Sequence, residues 1–158
     1  MFAIQPATWR DINELHHLER VCFDRDAWPY LDLMAVLTLP HYVRFKAVVA
    51  EQLAGFIAGE PHKRKGEGWV TTVGVLPEFR NQGIARALMA VCEQALGMPV
   101  IRLCVRSSNL AAQNLYLQLG YRQVSTWKNY YSGNESAFVF EKTILNQEKG
   151  DGDAHQRA

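Results

Sequence analysis

The stretch from Arg80 to Arg86, which reads Arg-Asn-Gln-Gly-Ile-Ala-Arg, has the composition of a loop that binds phosphate. It follows a β-branched stretch, Trp69 to Val75, that is typical of a strand, and it precedes a run with helical spacing that ends at Gly97. Gly83 allows the backbone to approach a ligand closely, and the free N–H groups of a helix's first turn attract phosphate oxygens. The segment therefore predicts a pyrophosphate cradle, although a simple turn at a helix start has the same pattern.

Two common nucleotide-binding motifs are absent from this stretch. It does not contain the Gly-x-x-x-x-Gly-Lys of a P-loop. It also does not contain the three-glycine dinucleotide fingerprint with an acidic residue about 20 positions further on. Neither of these two kinds of nucleotide site is therefore predicted.

The loop resembles the acetyl-CoA pyrophosphate loop of the GNAT superfamily of N-acetyltransferases. The family pattern is Gln/Arg-x-x-Gly-x-Gly/Ala, and this chain has Arg80-x-x-Gly83-x-Ala85. The likeness covers most of residues 1 to 144 and is similar to the RimI branch, the N-terminal acetyltransferases of ribosomal proteins. It continues in three later stretches: Leu103 to Asn109, Asn114 to Tyr121 and Asn129 to Tyr131.

The resemblance implies a GNAT fold, which is a mixed α/β fold. Its twisted sheet has helices on both faces, and two central parallel strands splay apart to admit the cofactor. The splayed strands are expected at Trp69 to Val75 and Val100 to Arg106, and a backbone N–H near Val75 is expected to stabilise the oxyanion. Asn109 matches a family position that contacts the cofactor, although a role as helix N-cap would explain an asparagine at this position equally well. The residues expected to bind acetyl-CoA are Val73, Gly74, Val75, Arg80, Asn81, Gln82, Gly83, Ile84, Ala85, Arg86 and Asn109.

Tyr116 is the residue expected to act as general acid. A phenol with a pKa near 10 is protonated at neutral pH, and it can donate a proton to a thiolate whose conjugate acid has a pKa near 8.5. It lies in the motif Asn-Leu-Tyr-x-x-Leu-Gly, where the family carries its acid. The alternative is a tyrosine that fills the core.

Cys104 stands where RimI-like enzymes carry a glutamate in the strand, twelve positions before that tyrosine. The carboxylate that would relay the proton of the amine is therefore missing. Alternation along the strand places Cys104 on one face with Arg102 and Arg106, which predicts a lowered thiol pKa and makes Cys104 a candidate weak base. The alternatives are a small apolar side chain at this position, or another base such as Glu60, Asp24 or a chain of waters.

The missing carboxylate favours an acceptor amine of low pKa. An α-amino group near pKa 7.8 is about a third neutral at pH 7.5, whereas a lysine near 10.4 is only about 0.1 % neutral. The resemblance places Phe23 and Trp28 in the loop that walls the acceptor site, although both would also serve to anchor that loop to the core. It places Tyr130 and Tyr131 where related enzymes grip the first residues of a peptide.

We therefore expect an acetyl-CoA-dependent N-acetyltransferase that transfers acetyl directly to a free amine, with the α-amino group of a protein or peptide as acceptor. One alternative is an acetyltransferase for a small-molecule amine. The other is an acetyl-CoA-binding module that lost catalysis together with the glutamate, although the presence of Tyr116 argues against it.

The length and charge of the chain predict one domain, and they do not indicate a nucleic-acid or membrane partner. The chain has 158 residues, and 17 basic against 16 acidic residues leave a formal charge of +1, so neither a nucleic-acid nor a membrane partner is expected. Three cysteines without Cys-x-x-Cys spacing predict neither a disulfide framework nor a metal site. There is no signal-peptide pattern and no apolar run near the ~18 residues of a membrane span. A cytoplasmic protein is predicted, and the oligomeric state is open.

Strands alternate with helices along the chain and end in a hairpin, which by itself favours a mixed α/β sheet. Residues 1 to 144 are expected to form the acetyltransferase domain and residues 145 to 158 a disordered tail. The predicted elements are a strand at Phe2 to Gln5, a helix capped by Thr8, a helix at Leu31 to Leu39, a hairpin of Tyr42 to Ala50 with Leu53 to Gly59, a charged loop at His62 to Gly68, a helix capped by Asn109 and ended by Gly120, and a hairpin of Tyr121 to Tyr130 with Ala137 to Thr143.

Overall fold

The computed structural model describes residues 1 to 144, so the tail predicted at residues 145 to 158 lies outside the described residues. Within residues 1 to 144 the strands are β1 (Ala3–Pro6), β2 (Val43–Val49), β3 (Gln52–His62), β4 (Glu67–Val75), β5 (Val100–Arg106), β6 (Arg122–Tyr131) and β7 (Glu135–Thr143). The helices are α1 (Ile12–Phe23), α2 (Tyr30–Thr38), α3 (Ile84–Leu96) and α4 (Leu110–Gln118).

All seven strands form one mixed sheet in the order β1-β2-β3-β4-β5-β7-β6. The pairs β2–β3 and β6–β7 are antiparallel neighbours, so the two predicted hairpins are confirmed. Among the strands of residues 1 to 144, β4 and β5 alone run parallel, and the α3 crossover connects them. The mixed α/β architecture expected from the alternation of strands and helices is confirmed.

The parallel pair β4 and β5 separates halfway along its length. Residues Glu67 to Val70 pair with Val100 to Leu103, and the rest of β4 has no pairing with β5. The register between β3 and β4 shifts at Ala58/Gly59, which leaves Thr71 as an extra residue whose hydroxyl donates to the Ala58 carbonyl at 3.0 Å. A bulge bends a strand and increases its twist, so it explains why β4 turns away at this level. The predicted splayed pair is confirmed.

Helices cover both faces of the sheet, as expected. Neighbouring residues of β3 point to opposite faces, so Phe56 packs with α1 and α2 while Ile57 packs with α3. Leu15 and Leu33 are core residues of the first face, and Leu88 is a core residue of the second. In the described part of the chain, none of the helices is both long and apolar enough to cross a membrane.

The predicted helix caps are formed. The Thr8 side chain accepts from the Arg10 N–H in a capping box that starts a short 3-10 turn ahead of α1, and the Asn109 side chain accepts from the Ala112 N–H at the start of α4. Gly97 (φ 60°) ends α3 in the left-handed conformation that glycine favours.

One loop was predicted too long. The charged loop expected at His62 to Gly68 is reduced to a 3-10 turn at Lys63–Lys65 followed by Gly66. The reason is that β3 and β4 continue their antiparallel pairing to His62 and Glu67, so hydrogen bonds between the strands outweigh the local preference of these polar residues for a loop.

Candidate active site

The loop before α3 presents free backbone N–H groups. Gly83 is the N-cap of α3 with φ 82°, and Asn81 also has a positive φ of 63°. The first backbone hydrogen bond of the helix runs from the Ala87 N–H to the Gly83 carbonyl at 3.1 Å, so the N–H groups of residues 84 to 86 precede it. A Cβ at Gly83 would meet nothing within 4 Å, so open space adjoins this helix start.

A cavity of about 630 Å³ extends from this loop along the end of β4 to the first turns of α4. We call it the cofactor cavity. Ten of the eleven predicted cofactor residues line it, and Gln82 does not. The ten are Val73, Gly74, Val75, Arg80, Asn81, Gly83, Ile84, Ala85, Arg86 and Asn109.

Both arginines of the loop are held by other parts of the protein. The Nε of Arg80 donates to the Val75 carbonyl at 2.9 Å, and a terminal nitrogen of Arg86 donates to Gln118 of α4 at 3.0 Å. These bonds fix two positive charges on the wall of the cofactor cavity, where they can attract an anion.

A second cavity of about 240 Å³ lies beside the first, and we call it the acceptor cavity. Three of the four predicted acceptor residues, Phe23, Trp28 and Tyr131, line it. Tyr130 does not. Its side chain is 55 % exposed and its ring packs edge-on against Tyr131, with centroids 5.0 Å apart.

Tyr116 lines both cavities and therefore lies at their junction. The residue is 6 % exposed, and its ring packs at the edge of Tyr121 with centroids 6.0 Å apart. Burial raises the pKa of the Tyr116 phenol to about 12. The hydroxyl is accordingly protonated at neutral pH, as a proton donor must be.

Cys104 also lines the acceptor cavity, but the expected lowering of its pKa is wrong. Burial raises the pKa of this thiol to about 11. Arg102 is committed to Glu141, with Nε to Oε2 at 2.9 Å, and to Glu67 at 3.3 Å. The guanidinium groups on this face of β5 are thus neutralised by carboxylates, and desolvation of the thiol decides its protonation.

Arg106 is neutralised in the same way, by carboxylates that sequence spacing could not connect to it. It forms ion pairs with Asp26, which follows α1, and with Glu135 at the start of β7. The Ser132 hydroxyl donates to Asp26 at 2.9 Å, and the Ser108 N–H donates to Glu135 at 2.8 Å. These contacts join the segment after α1 to the turn between β6 and β7 across the acceptor cavity.

The pKa values of the two carboxyl groups reflect these contacts. Hydrogen bonds from Ser108 and then from Arg106 lower the pKa of Glu135 to about 2. For Asp26, burial acts in the raising direction, but the hydrogen bonds from Arg106 and Ser132 outweigh it and the pKa is lowered. Both groups are therefore charged at neutral pH.

Glu19 lines the acceptor cavity as well as Asp26, and neither carboxylate is among the site residues predicted from the sequence. It is fully buried, accepts from the Thr72 hydroxyl at 2.8 Å and lies 3.4 Å from the Trp28 N–H. Burial raises its pKa, against the lowering effect of both hydrogen bonds. The available signal was an acidic residue on the apolar face of α1. The alternative bases Glu60 and Asp24 are not among the residues that line this cavity.

Comparison with protein families agrees with this geometry. Residues 9 to 121 match the model of the Acetyltransferase (GNAT) family. N-alpha-acetyltransferase 20 of Dictyostelium discoideum is 38 % identical over 99 residues, which are 57 % of this chain and 56 % of that protein. An N-alpha-acetyltransferase of Sulfurisphaera tokodaii is 26 % identical over 154 residues, which cover 87 % of this chain and 90 % of that protein.

Solved structures show the same fold. The ribosomal-protein-S18-alanine N-acetyltransferase from Escherichia coli superposes with a TM-score of 0.82 at 24 % identity, covering 94 % of this chain and 98 % of that one. Ard1 from Thermoplasma volcanium superposes with a TM-score of 0.81 at 23 % identity, covering 91 % and 98 %. Because the family model spans most of the described residues and the fold agrees, this chain belongs to the GNAT family of acetyltransferases.

Proposed function

We propose that the protein is an acetyl-CoA-dependent N-acetyltransferase whose acceptor is the α-amino group of a protein or peptide. The observation that carries this proposal is the meeting of two cavities at Tyr116. One cavity has the helix N-terminus and open strand edge that suit a long phosphorylated thioester, and the other has the size of a small acceptor group. Direct transfer within a ternary complex needs such a junction.

In this proposal the N–H groups of residues 81 to 86 hold the pyrophosphate, and Arg80 and Arg86 add positive charge. The edge of β4 from Thr71 to Val75 that faces the gap receives the pantetheine arm, and a backbone N–H near Val75 donates to the oxyanion. Asn109 lines both cavities while it caps α4, so one residue serves both roles.

Tyr116 is proposed to protonate the leaving thiolate, since it is protonated at neutral pH and adjoins both cavities. The raised pKa of Cys104 gives no support for its role as a base. We therefore assign Cys104 to the wall of the acceptor cavity, beside Phe23, Trp28 and Tyr131.

Two observations support an N-terminal acceptor. The relatives from Dictyostelium discoideum and Sulfurisphaera tokodaii are N-alpha-acetyltransferases, and the first matches this chain over 56 % of its own length. The acceptor cavity also holds the carboxylate of Glu19, which forms no ion pair within residues 1 to 144 and suits a group carrying an amine. A cytoplasmic location belongs to the same proposal, because all three cysteines are free thiols.

A small-molecule amine is the second candidate acceptor. The acceptor cavity has a volume of about 240 Å³, and its wall residue Asp26 is held by the Ser132 hydroxyl. A cavity of this size favours a compact amine over an extended peptide.

Release of free CoA tests the proposal. The purified protein is given acetyl-CoA with short peptides that differ in their first residue, with N-blocked peptides that contain lysine, and with small amines. We expect selective turnover of the peptides with a free N-terminus. Turnover of small amines alone would support the second candidate, and tight acetyl-CoA binding without any turnover would support a binding module instead.

A further inference from the structure

We propose that the carboxylate of Glu19 is the terminal proton acceptor of the transfer reaction and that the Thr72 hydroxyl relays the proton to it. The inference rests on the proposed function, because it assigns a base to that same acceptor cavity. Both residues line the cavity, and the Thr72 hydroxyl already donates to Glu19 at 2.8 Å.

Glu19 is the carboxylate of this cavity that remains available. Asp26 also lines the cavity but is engaged by Arg106 and Ser132. Among residues 1 to 144, Glu19 has no basic side chain within ion-pair distance. A proton that leaves the amine therefore meets an uncommitted carboxylate only at Glu19.

The position of Thr72 makes it the natural intermediate. It lies on β4 next to Val73, which lines both cavities, and its side chain is 8 % exposed, whereas Glu19 is fully buried. A hydroxyl can donate one hydrogen bond while it accepts another. Thr72 can thus accept from an amine in the cavity while it donates to Glu19.

Burial of a carboxylate without a cation is costly, and a purely structural link would not need an ionisable group. Burial raises the pKa of Glu19, which brings it closer to neutral pH, where a general base is most effective. The titratable or charged groups around it on the cavity wall are Cys22 of its own helix, Asp26, Cys104, Arg106, Tyr116 and Tyr131. Of these, Asp26 forms an ion pair with Arg106, which also pairs with Glu135.

The proposed step balances as follows. The lone pair of the neutral amine forms the N–C bond, its proton passes to the Thr72 oxygen, and the Thr72 hydroxyl proton passes to Glu19. The C–S bond breaks, and the thiolate takes the phenolic proton of Tyr116. Glu19 then releases its proton to solvent and Tyr116 regains one, which restores the starting state.

Four variants of the full chain test the relay: Glu19→Gln, Thr72→Val, Thr72→Ser and, as a control, Glu14→Gln. Glu14 is an exposed glutamate of the same helix that accepts from the Leu53 N–H at 3.1 Å. The measurements are kcat from CoA release at saturating acceptor across pH, acetyl-CoA affinity and thermal unfolding.

We expect Glu19→Gln and Thr72→Val to lower kcat by about 10²-fold or more while acetyl-CoA affinity stays unchanged. Thr72→Ser should restore most of the rate, and Glu14→Gln should behave as wild type. The acid limb of the kcat profile should be shallower in Glu19→Gln by about one log unit per pH unit, because one ionisation has been removed.

A fall in kcat for Glu19→Gln that is equal at every pH, with the acid limb unchanged, would overturn the relay, and so would a wild-type rate in Thr72→Val. If Glu19→Gln does not fold, the comparison of Thr72→Val with Thr72→Ser decides. If the wild-type protein turns over no amine, the proposed function fails as well. If the wild-type protein is active but Glu19→Gln keeps the acid limb of the kcat profile, the relay is overturned while the proposed function stands.

Discussion

The hydroxyl of Ser132 donates to the carboxylate of Asp26 at 2.9 Å, although 106 positions separate the two residues. Asp26 follows the first helix, and Ser132 belongs to the turn between the last two strands. Their hydrogen bond ties Asp26, a wall residue of the acceptor cavity, to that turn, and Arg106 of β5 donates to both residues.

Removal of this contact should affect the acceptor and leave the cofactor unaffected. We expect Ser132→Ala to raise the KM for the acceptor about threefold to tenfold, because Asp26 in the cavity wall loses a bond that holds it in place. Acetyl-CoA affinity, measured by calorimetry, should not change. An equal loss of affinity for both substrates would contradict this assignment.

Tyr116→Phe should lower kcat by about 10²- to 10⁴-fold, since it removes the proposed proton donor and keeps the ring. Acetyl-CoA affinity should be retained because the phenyl group still fills the junction of the cavities. Steady-state CoA release and equilibrium binding together check this. Full turnover in this variant would indicate that Tyr116 packs in the core and does not donate the proton.

Gly83→Ala should weaken acetyl-CoA binding at least about tenfold, because the new methyl group enters the open space at the start of α3. The positive φ of 82° should also cost about 1 kcal/mol of folding free energy. Gly133→Ala is a matched control, since Gly133 has φ 77° and no neighbour within 4 Å but lies in the β6–β7 turn. Only the first variant should lose affinity, although both should lose stability.

Cys104→Ala should retain turnover within about threefold at every pH from about 6 to 9, because a thiol with a pKa of about 11 is neutral there. The pH profile of kcat is the measurement. If the kcat profile of this variant lacks an ionisation that the wild-type profile shows, Cys104 acts as a base.

Glu135 makes the protein sensitive to acid. Its pKa is lowered from 4.5 to about 2 in the folded state, so its contribution to stability is present above pH about 4.5 and is lost as the pH falls through about 2. Glu135→Gln should therefore flatten the dependence of the unfolding temperature on pH across this window. Glu51→Gln, in the exposed turn between β2 and β3, should leave the dependence unchanged.

Features governed by local sequence could be predicted. The caps at Thr8 and Asn109 follow from the chemistry of neighbouring residues, and the loop with Gly83 follows from its pattern. The resemblance to the GNAT family supplied the other cofactor residues, and ten of the eleven line one cavity formed by the end of β4, the loop after it and the starts of α3 and α4.

Features that depend on distant partners could not be predicted. The prediction for Cys104 took Arg102 and Arg106 as free charges, but their carboxylate partners come from other strands and from the segment after α1. The position of Glu19 on the apolar face of α1 indicates a buried carboxylate, but its partner Thr72 is 53 positions away and no local pattern connects the two. The net charge around a side chain in a folded site depends on residues that are close in space but can be far apart in sequence.

The separation of β4 from β5 leaves two facing strand edges inside the sheet without a strand between them. The Val75 carbonyl accepts from Arg80, and those N–H and C=O groups of the two edges that the chain does not engage need partners from water or from a ligand. A bound molecule that pairs with this edge acts as an additional strand and completes the ladder. The middle of the sheet is then a region where ligand occupancy sets the rate of amide hydrogen exchange, so slowed exchange at Thr71 to Val75 would report binding even when no acetyl group is transferred.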